Sequence, residues 1–484
     1  MKKNVLNGVI WTFTGTGTQV ILQFLVFIIL SRLLEPTSFG LMATALAITS
    51  ILSILSKAGI GPSIVQKEHL SEDHVKTGSI LAVIFSLIIT FVVYSSSNIV
   101  ATFFKMPDLN SILKILAFVH LIQGFSIVPE ALLQRNLEFK KLAFVQILSY
   151  LVYGIVGVSL SIIGLGVWSL VFAYISDKTV KTILLLTWRP IIKRGTINFE
   201  KCKELLVFGI GYSFGAISNQ VALQGDKLVI GRFLGAVSLG IYTRGFQLFA
   251  IPVELIGTVI EKVLFPSFSR IQKNKMVLKK TYLDATATVV IICIPLSLLL
   301  FILADDIIMF LFGEKWIEAI LPFKILILAL LPRVSYKISD SLTKSLGRVY
   351  KSANRQLIYG ISMILCVSIG QNYGLIGACL GVLIAICINY IYMAQIAIHL
   401  SEIKWSKFFK AHLPGIYFTI ATIVPTLIIN NMLNIFSLNS FIIILITVTV
   451  FLLFSFVIIM NTPYVLFREI RYLILKSVNS FKRH

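Results

Sequence analysis

Charge is scarce in this sequence. Only 13% of its 484 residues are Asp, Glu, Lys or Arg, against 57% hydrophobic, too few to cover the surface of a soluble chain of this length. Acidic residues are the scarcest, 21 against 43 basic ones, for a net charge of +22. That excess falls in short bursts between apolar runs, not in a stripe interleaved with aromatics, so nucleic acid is not an expected partner. Cysteine is sparse too. Cys202, Cys293, Cys366, Cys379 and Cys387 form no C-x-x-C pair and four lie inside apolar runs, which argues against disulfides and against zinc. No P-loop occurs, so ATP is not the direct energy source. "GIGYSFG" from Gly209 is not a dinucleotide fingerprint, because its third glycine is displaced and no strand precedes it. No loop is long enough to hold a catalytic domain, and Asp305-Asp306 alone makes a poor metal site. No metal and no cofactor are expected.

Apolar length is what the chain has in abundance. Stretches of about 18 or more apolar residues recur throughout, each long enough to cross a bilayer as a helix. The fold class is therefore all-α, a polytopic membrane protein. Fourteen spans are predicted. Six lie at about 9–30, 40–56, 78–100, 110–130, 142–163 and 166–187. Six more lie at about 205–230, 239–265, 284–303, 319–336, 355–371 and 374–398, and a last pair at about 412–430 and 440–460. The opening "MKKNVLNGVIWTFTG" has the basic start of a signal peptide but no small-residue cleavage site, and reads as the first retained helix.

One decapeptide is written twice. "SRLLEPTSFG" (Ser31 to Gly40) recurs as "GRFLGAVSLG" (Gly231 to Gly240). "GPSI" at Gly61 is echoed by "FPSF" at Phe265, "SILKILA" at Ser111 by "LPFKILI" at Leu321, and "GLGVWSL" at Gly164 by "GLIGACL" at Gly374. One copy spans about 200–210 residues, or six helices. Six is even, so both copies enter the membrane in the same direction, as in parallel-repeat transporters. The expected organisation is an N-terminal bundle (1–200), a C-terminal bundle (201–400) and an appended helix pair with a basic amphipathic tail (401–484). In that tail Leu466, Phe467, Ile470, Leu473 and Ile474 make the apolar face of a helix on the inner leaflet. With the N-terminus inside, only Arg32, Lys105, Lys114, Lys227, Arg232, Arg244, Lys315 and Lys324 among the basic residues fall outside or near outer helix ends. Both termini are then cytoplasmic.

The stretch "DKLVIGRFLGAVSLGIYTRGFQLFAIPVELIGTVIEKVLFPSFSRIQ" (Asp226 to Gln272) and "LSRLLEPTSFGLMA" near the start resemble bacterial polysaccharide exporters. These are lipid-linked oligosaccharide flippases of the multidrug/oligosaccharidyl-lipid/polysaccharide superfamily, and the teichuronic-acid and colanic-acid type exporters are most similar. The resemblance covers essentially the full chain. It implies two six-helix bundles in a V, as in the multidrug extrusion relatives. It also implies movement of undecaprenyl-diphosphate-linked repeat units to the outer leaflet of the bacterial cell membrane, for a teichuronic-acid, capsule or exopolysaccharide type polymer. The expected partners are this lipid-linked sugar, membrane lipids and polysaccharide polymerase machinery. The chain is then a transporter, not an enzyme.

Polar residues inside the spans carry the site expectation, because a charge at mid-membrane costs about 2.5–3.5 kcal/mol on insertion scales unless it meets water or a partner. The eighth span has Arg244, Gln247, Glu254, Thr258 and Glu261 on one face, and the seventh has Ser213, Gln220, Gln224 and Lys227. The first adds Thr12, Thr16, Gln19 and Gln23. Arg32 and Arg232 stand at outer helix ends, where substrate contact competes with snorkelling. Asp226 reads as structural. Asp177, Lys178 and Lys181 mark the sixth span. Pro252 should kink the eighth. "GYSFG" (Gly211 to Gly215) and "GACLG" (Gly377 to Gly381) fit close helix packing. Glu254 is the expected ligand for a coupling ion, with Na+, H+ or no ion left open. A cation-coupled multidrug exporter or a peptidoglycan-precursor flippase of the same fold remains an alternative. So does a membrane polymerase, although the long catalytic outer loops it would need are absent.

Overall fold

The computed structural model describes residues 2–190, 195–436 and 438–461. Among these residues the chain is helical, with no strand. The first seven helices are α1 (Lys2–Leu33), α2 (Pro36–Lys57), the short α3 (Ile60–Gln66), α4 (Glu72–Phe104), α5 (Asp108–Arg135), α6 (Phe139–Ile162) and α7 (Val167–Trp188). Then come α8 (Phe199–Ile271), α9 (Lys275–Ile302), α10 (Ala304–Phe312), α11 (Ile320–Ile327) and α12 (Leu330–Ser345). The last are α13 (Val349–Gly370), α14 (Gly374–Ser401), the six-residue α15 (Trp405–Lys410), α16 (Leu413–Ile435) and α17 (Ser440–Asn461). The predicted tail helix (464–484) lies outside the described residues.

Each of the fourteen predicted spans falls on helix. The seventh and eighth are the two halves of α8, interrupted only at Gly235, whose φ of 81° and ψ of −179° few L side chains tolerate. Helical dihedrals continue through Pro252 and Pro266, and the break falls at Gly235, inside the second copy of the decapeptide. The tenth span comprises α11 and α12 and runs on to Ser345, well past its predicted end.

Among the described residues, eight segments are both long and apolar enough to cross a membrane. They include α2, α4, α5, α6, α9 and α17, while one of them (Asn354–Ser401) holds both α13 and α14. Outside these segments fall α7, which carries Asp177, Lys178 and Lys181, and α11 and α12, which are eight and sixteen residues long. Elsewhere, buried hydroxyls stay compatible with a dry interior by bonding a carbonyl one turn back. Thr44 donates to Gly40 (2.9 Å), Thr90 to Ser86 (2.8 Å) and Thr426 to Thr422 (2.7 Å).

The chain forms two compact units, Met1–Thr243 and Arg244–His484. In the first, α4 pairs with α5, and α6 with α1 and α7. The front half of α8 belongs here. Leu205 joins Ala58, Ile60, Ile64 and Val75 in one apolar cluster, and Ser63 Oγ donates to the Leu205 carbonyl at 3.0 Å. The approach to α8 is tied to the start of α4: Asp73 accepts from Thr196 N at 2.6 Å, Lys76 donates to the Gly195 carbonyl at 2.7 Å, and Thr77 Oγ1 accepts from Asn198 N at 3.2 Å. In the second unit α13 pairs with α14, α12 packs on α14 and α9, and α16 packs on α9 and α17. "GACLG" does pack closely. A Cβ at Gly377 would strike Gly370, and one at Gly381 would strike Cys366. Among the described residues "GYSFG" does not, since Gly211 and Gly215 have no neighbour there within 4 Å; the close approach falls at Gly209, against Ala58 and Gly59.

Candidate functional site

In the first unit, the front half of α8 sets Gln220, Gln224 and Lys227 half-buried, with Ser213 buried. Lys227 Nζ donates to Gln224 Oε1 at 2.8 Å, a one-turn bond that their spacing allows. Asp226 turns the other way, 3% exposed, and accepts a 2.5 Å hydrogen bond from the Tyr242 hydroxyl. Arg232 lies with its guanidinium 4.8 Å from the Phe103 ring centre and 5.7 Å from that of Phe233, so its charge rests on aromatic faces. Arg32 is exposed at the end of α1, and Gln19 and Gln23 are half-buried in it. The side chains of Thr12 and Thr16 lie outside the described residues.

A second polar group in this unit was only half legible. Lys178 pairs with Asp177 at 2.6 Å and lies 4.8 Å from the Tyr174 ring centre, while Lys181 pairs with Glu130 of α5 at 2.9 Å. Lys57, at the end of α2, shares the field of Glu130, Lys178 and Lys181. Sequence reading marked Asp177, Lys178 and Lys181 but singled out neither Glu130 nor Lys57. Only the packing of α5 on α7 brings Glu130 to its lysine.

In the second unit, Arg244 is 8% exposed. Its guanidinium donates to Gln247 Oε1 at 3.2 Å and lies 5.9 Å from the ring centre of the fully buried Trp316. Gln247, Glu254, Thr258 and Glu261 are exposed along the same helix. Glu261 meets Lys337 of α12, Nζ to Oε1 3.3 Å, while Glu254 makes no ion pair among the described residues. The structure therefore joins Arg244 to Gln247 and Lys227 to Gln224, and gives Glu261 a partner from a different helix.

The cations of α12 and α13 were missed as site candidates: Lys337 and Lys344 lie past the predicted end of the tenth span at Tyr336, while Arg333 and Arg355 lie inside predicted spans and were not singled out. Arg333 Nη1 donates to the Tyr359 hydroxyl at 2.7 Å and lies 5.3 Å from that ring. Tyr336 is flanked by two guanidinium groups, Arg333 at 5.8 Å and Arg355 at 4.9 Å. Asp340, buried, accepts from Ser352 and pairs with Lys344 at 2.6 Å and with Arg355 at 4.0 Å. The signal was present as Arg333, Lys337, Asp340 and Lys344 at spacings of four, three and four, which line one helix face.

Glu138 and Glu402, both outside the spans, are held below their usual range. Hydrogen bonds from Lys141 and Arg189 do this for Glu138, against the opposing effect of burial. Lys275 and then Lys279 do it for Glu402. No group of three His, Cys, Asp or Glu side chains is arranged for a metal among the described residues. Cations and amides of this kind suit recognition of an anion and of hydroxyl-rich groups.

Residues 29–321, more than half of the chain, match the family described as Polysaccharide biosynthesis protein. The teichuronic acid biosynthesis protein TuaB of Bacillus subtilis (strain 168) is 25% identical over 379 residues, covering 76% of this chain and 78% of that protein. The lipopolysaccharide biosynthesis protein WzxC of Escherichia coli (strain K12) is 25% identical over 443 residues, covering 90% and 88%. Among solved structures, the lipid II flippase MurJ in an inward closed conformation superposes with a TM-score of 0.77 at 16% identity, covering 94% of this chain and 100% of that one. An inward-facing multidrug resistance MATE family transporter superposes with a TM-score of 0.64 at 16% identity, covering 79% and 96%. The fold is thus shared with membrane transporters, and the helices are those of a multi-pass membrane protein. With the matched region reaching from the first copy of the decapeptide well into the second repeat, the chain belongs to the polysaccharide biosynthesis protein family.

Proposed function

We propose that this chain flips a lipid-linked oligosaccharide, its sugars carried on an undecaprenyl-type diphosphate, from the inner to the outer leaflet of the bacterial cell membrane by alternating access. The observation that carries the reading is Arg244. It is a guanidinium kept inside a membrane helix against Trp316 and braced by Gln247, with a fork of donors that suits phosphate oxygens. On the same helix and in the same unit, the amide of Gln247 and the hydroxyl of Thr258 offer both donors and acceptors to sugar hydroxyls. The biosynthetic roles in the names of TuaB and WzxC support a cell-surface polymer as the destination. Polymerase machinery on the outer side would then receive the product.

The excess of basic residues on one side supports cytoplasmic termini. With the cytoplasm negative, moving two uncompensated phosphate charges outward gains about 4.6 kcal/mol per 100 mV, so export needs no obligatory co-substrate. Na+ or H+ would act on the empty carrier, with Glu254 as ligand. The deciding experiment identifies the lipid that accumulates in the inner leaflet when the gene is deleted, and asks whether the wild-type chain clears it. An undecaprenyl-diphosphate oligosaccharide is expected. Accumulated peptidoglycan precursor would move the substrate to that pathway, and accumulation of neither would remove the flipping reading.

A further inference from the structure

The stem of Lys337 lies flat across Gly257 of α8. A Cβ on that glycine would stand 2.7 Å from Nζ and 2.8 Å from both Cδ and Cε. The missing side chain is what lets the lysine cross the helix to reach Glu261. The two partners are held very unequally, since the Lys337 side chain is 15% exposed and that of Glu261 is 48% exposed. Their 3.3 Å separation exceeds the roughly 2.7–2.9 Å of a well-formed charge-assisted hydrogen bond. The ammonium is seated and its carboxylate is loosely held.

Neighbouring charges are already committed. Asp340 is engaged by Ser352, Lys344 and Arg355, and Arg355 also donates to Asn389 at 3.3 Å. Arg333 is braced by Tyr359 and by the Tyr336 ring. On the α12 face, Lys337 is the cation whose counter-charge can leave without dismantling a network.

We propose that Lys337 binds the diphosphate of the transported lipid, and that Glu261 is a built-in stand-in that neutralises the ammonium until the diphosphate displaces it. This rests on the flipping reading above. A lone ammonium in a membrane helix is costly, and the carboxylate removes that cost in the empty protein. A diphosphate brings about two negative charges against the one on Glu261, so at equal distance its Coulomb attraction is about twice as large. The exchange lets the site tell a diphosphate from a neutral lipid: a ligand without the charge leaves the Lys337–Glu261 pair closed.

The test uses the full chain in phosphatidylcholine nanodiscs, with farnesyl diphosphate as probe and farnesol, inorganic pyrophosphate and phosphatidylglycerol as competitors. The expected results are farnesyl diphosphate binding weakened about tenfold in Lys337→Gln and tightened several-fold in Glu261→Gln, where the competing charge is gone. Gly257→Ala provides a check independent of charge removal. The three atoms nearest its new methyl all belong to the flexible end of Lys337, so the melting temperature should hold while affinity falls. Unchanged binding in both Lys337→Gln and Gly257→Ala overturns the proposal, as does weaker binding in Glu261→Gln. Equal competition by phosphatidylglycerol or by pyrophosphate overturns the assignment to the carrier lipid in favour of a headgroup or of free phosphate. Complementation separates the two levels. If the wild-type chain and Lys337→Gln both clear the accumulated lipid-linked oligosaccharide equally, only this inference falls. If the wild-type chain does not clear it, the flipping reading falls.

Discussion

Gly40 and Gly240, the last residues of the two decapeptides, each pack against the other's turn. A Cβ on Gly40 would run into the Ala236 carbonyl, and a Cβ on Gly240 into that of Pro36. The two contacts interchange when either chain segment is shifted by one repeat. The repeated sequence is thus a self-complementary interlock within the first unit, and both copies need a glycine at the same place because backbone meets backbone there.

Replacing either glycine should therefore be costly. Gly40→Val and Gly240→Val are expected to lose about 1–3 kcal/mol or more through forced backbone movement, seen as loss of folded protein in fluorescence-detected size exclusion. Gly211→Ala and Gly215→Ala, where nothing lies within 4 Å, should hold or gain up to about 1 kcal/mol from helix propensity. Equal behaviour of the two pairs would contradict the interlock.

Arg244→Ala should reduce clearance of the lipid-linked intermediate at least about tenfold while protein level stays near normal, and Arg244→Lys should keep part of it, having the charge without the fork. Immunoblot and lipid analysis of the same cells read both quantities. A fall in protein level that matches the fall in clearance would make Arg244 a packing residue of the Trp316 pocket instead.

Topology can be read by labelling. In a background without the native cysteines, Asn274→Cys should react only with reagents that reach the cytoplasm and Glu318→Cys only from outside. Both positions are exposed, unlike Ala304, which lies in the same outer segment as Glu318 but is fully buried. Outside labelling at Asn274 would reverse the orientation.

Glu138 gives a pH signature. Its carboxyl is held below the ordinary value by Lys141 and Arg189, so its contribution is complete above the unfolded value of about 4.3 and is lost as pH falls through the lower folded value. At this partly exposed site it should amount to no more than about 1 kcal/mol. Melting curves of wild type and Glu138→Gln should differ at pH 7 and converge in acid. A constant gap across that window would refute the assignment.

Much of the site was legible where it follows from spacing along one helix. Arg244 with Gln247 and Gln224 with Lys227 each sit one turn apart, and a helix places them together whatever surrounds it. Glu130, Lys57 and the partner of Glu261 were not legible, since each depends on which helix packs beside which. The extent of α12 was misjudged because its polar half reads as loop when hydropathy alone sets the boundary, although Arg333, Lys337, Asp340 and Lys344 keep helical spacing.

The amino-acid sequence by itself determined the helical, membrane-spanning character of the chain and where its fourteen predicted spans fall, because apolar length and periodicity are local properties of the backbone in lipid. The tertiary structure alone decided which partner each charged group meets. Asp226 is met by Tyr242, Lys181 by Glu130, and Lys337 crosses Gly257 to Glu261. It also decided that the front half of α8 packs in the first unit. The physical reason is that an ion pair or a close backbone approach depends on distances between segments tens to hundreds of residues apart, which only packing sets.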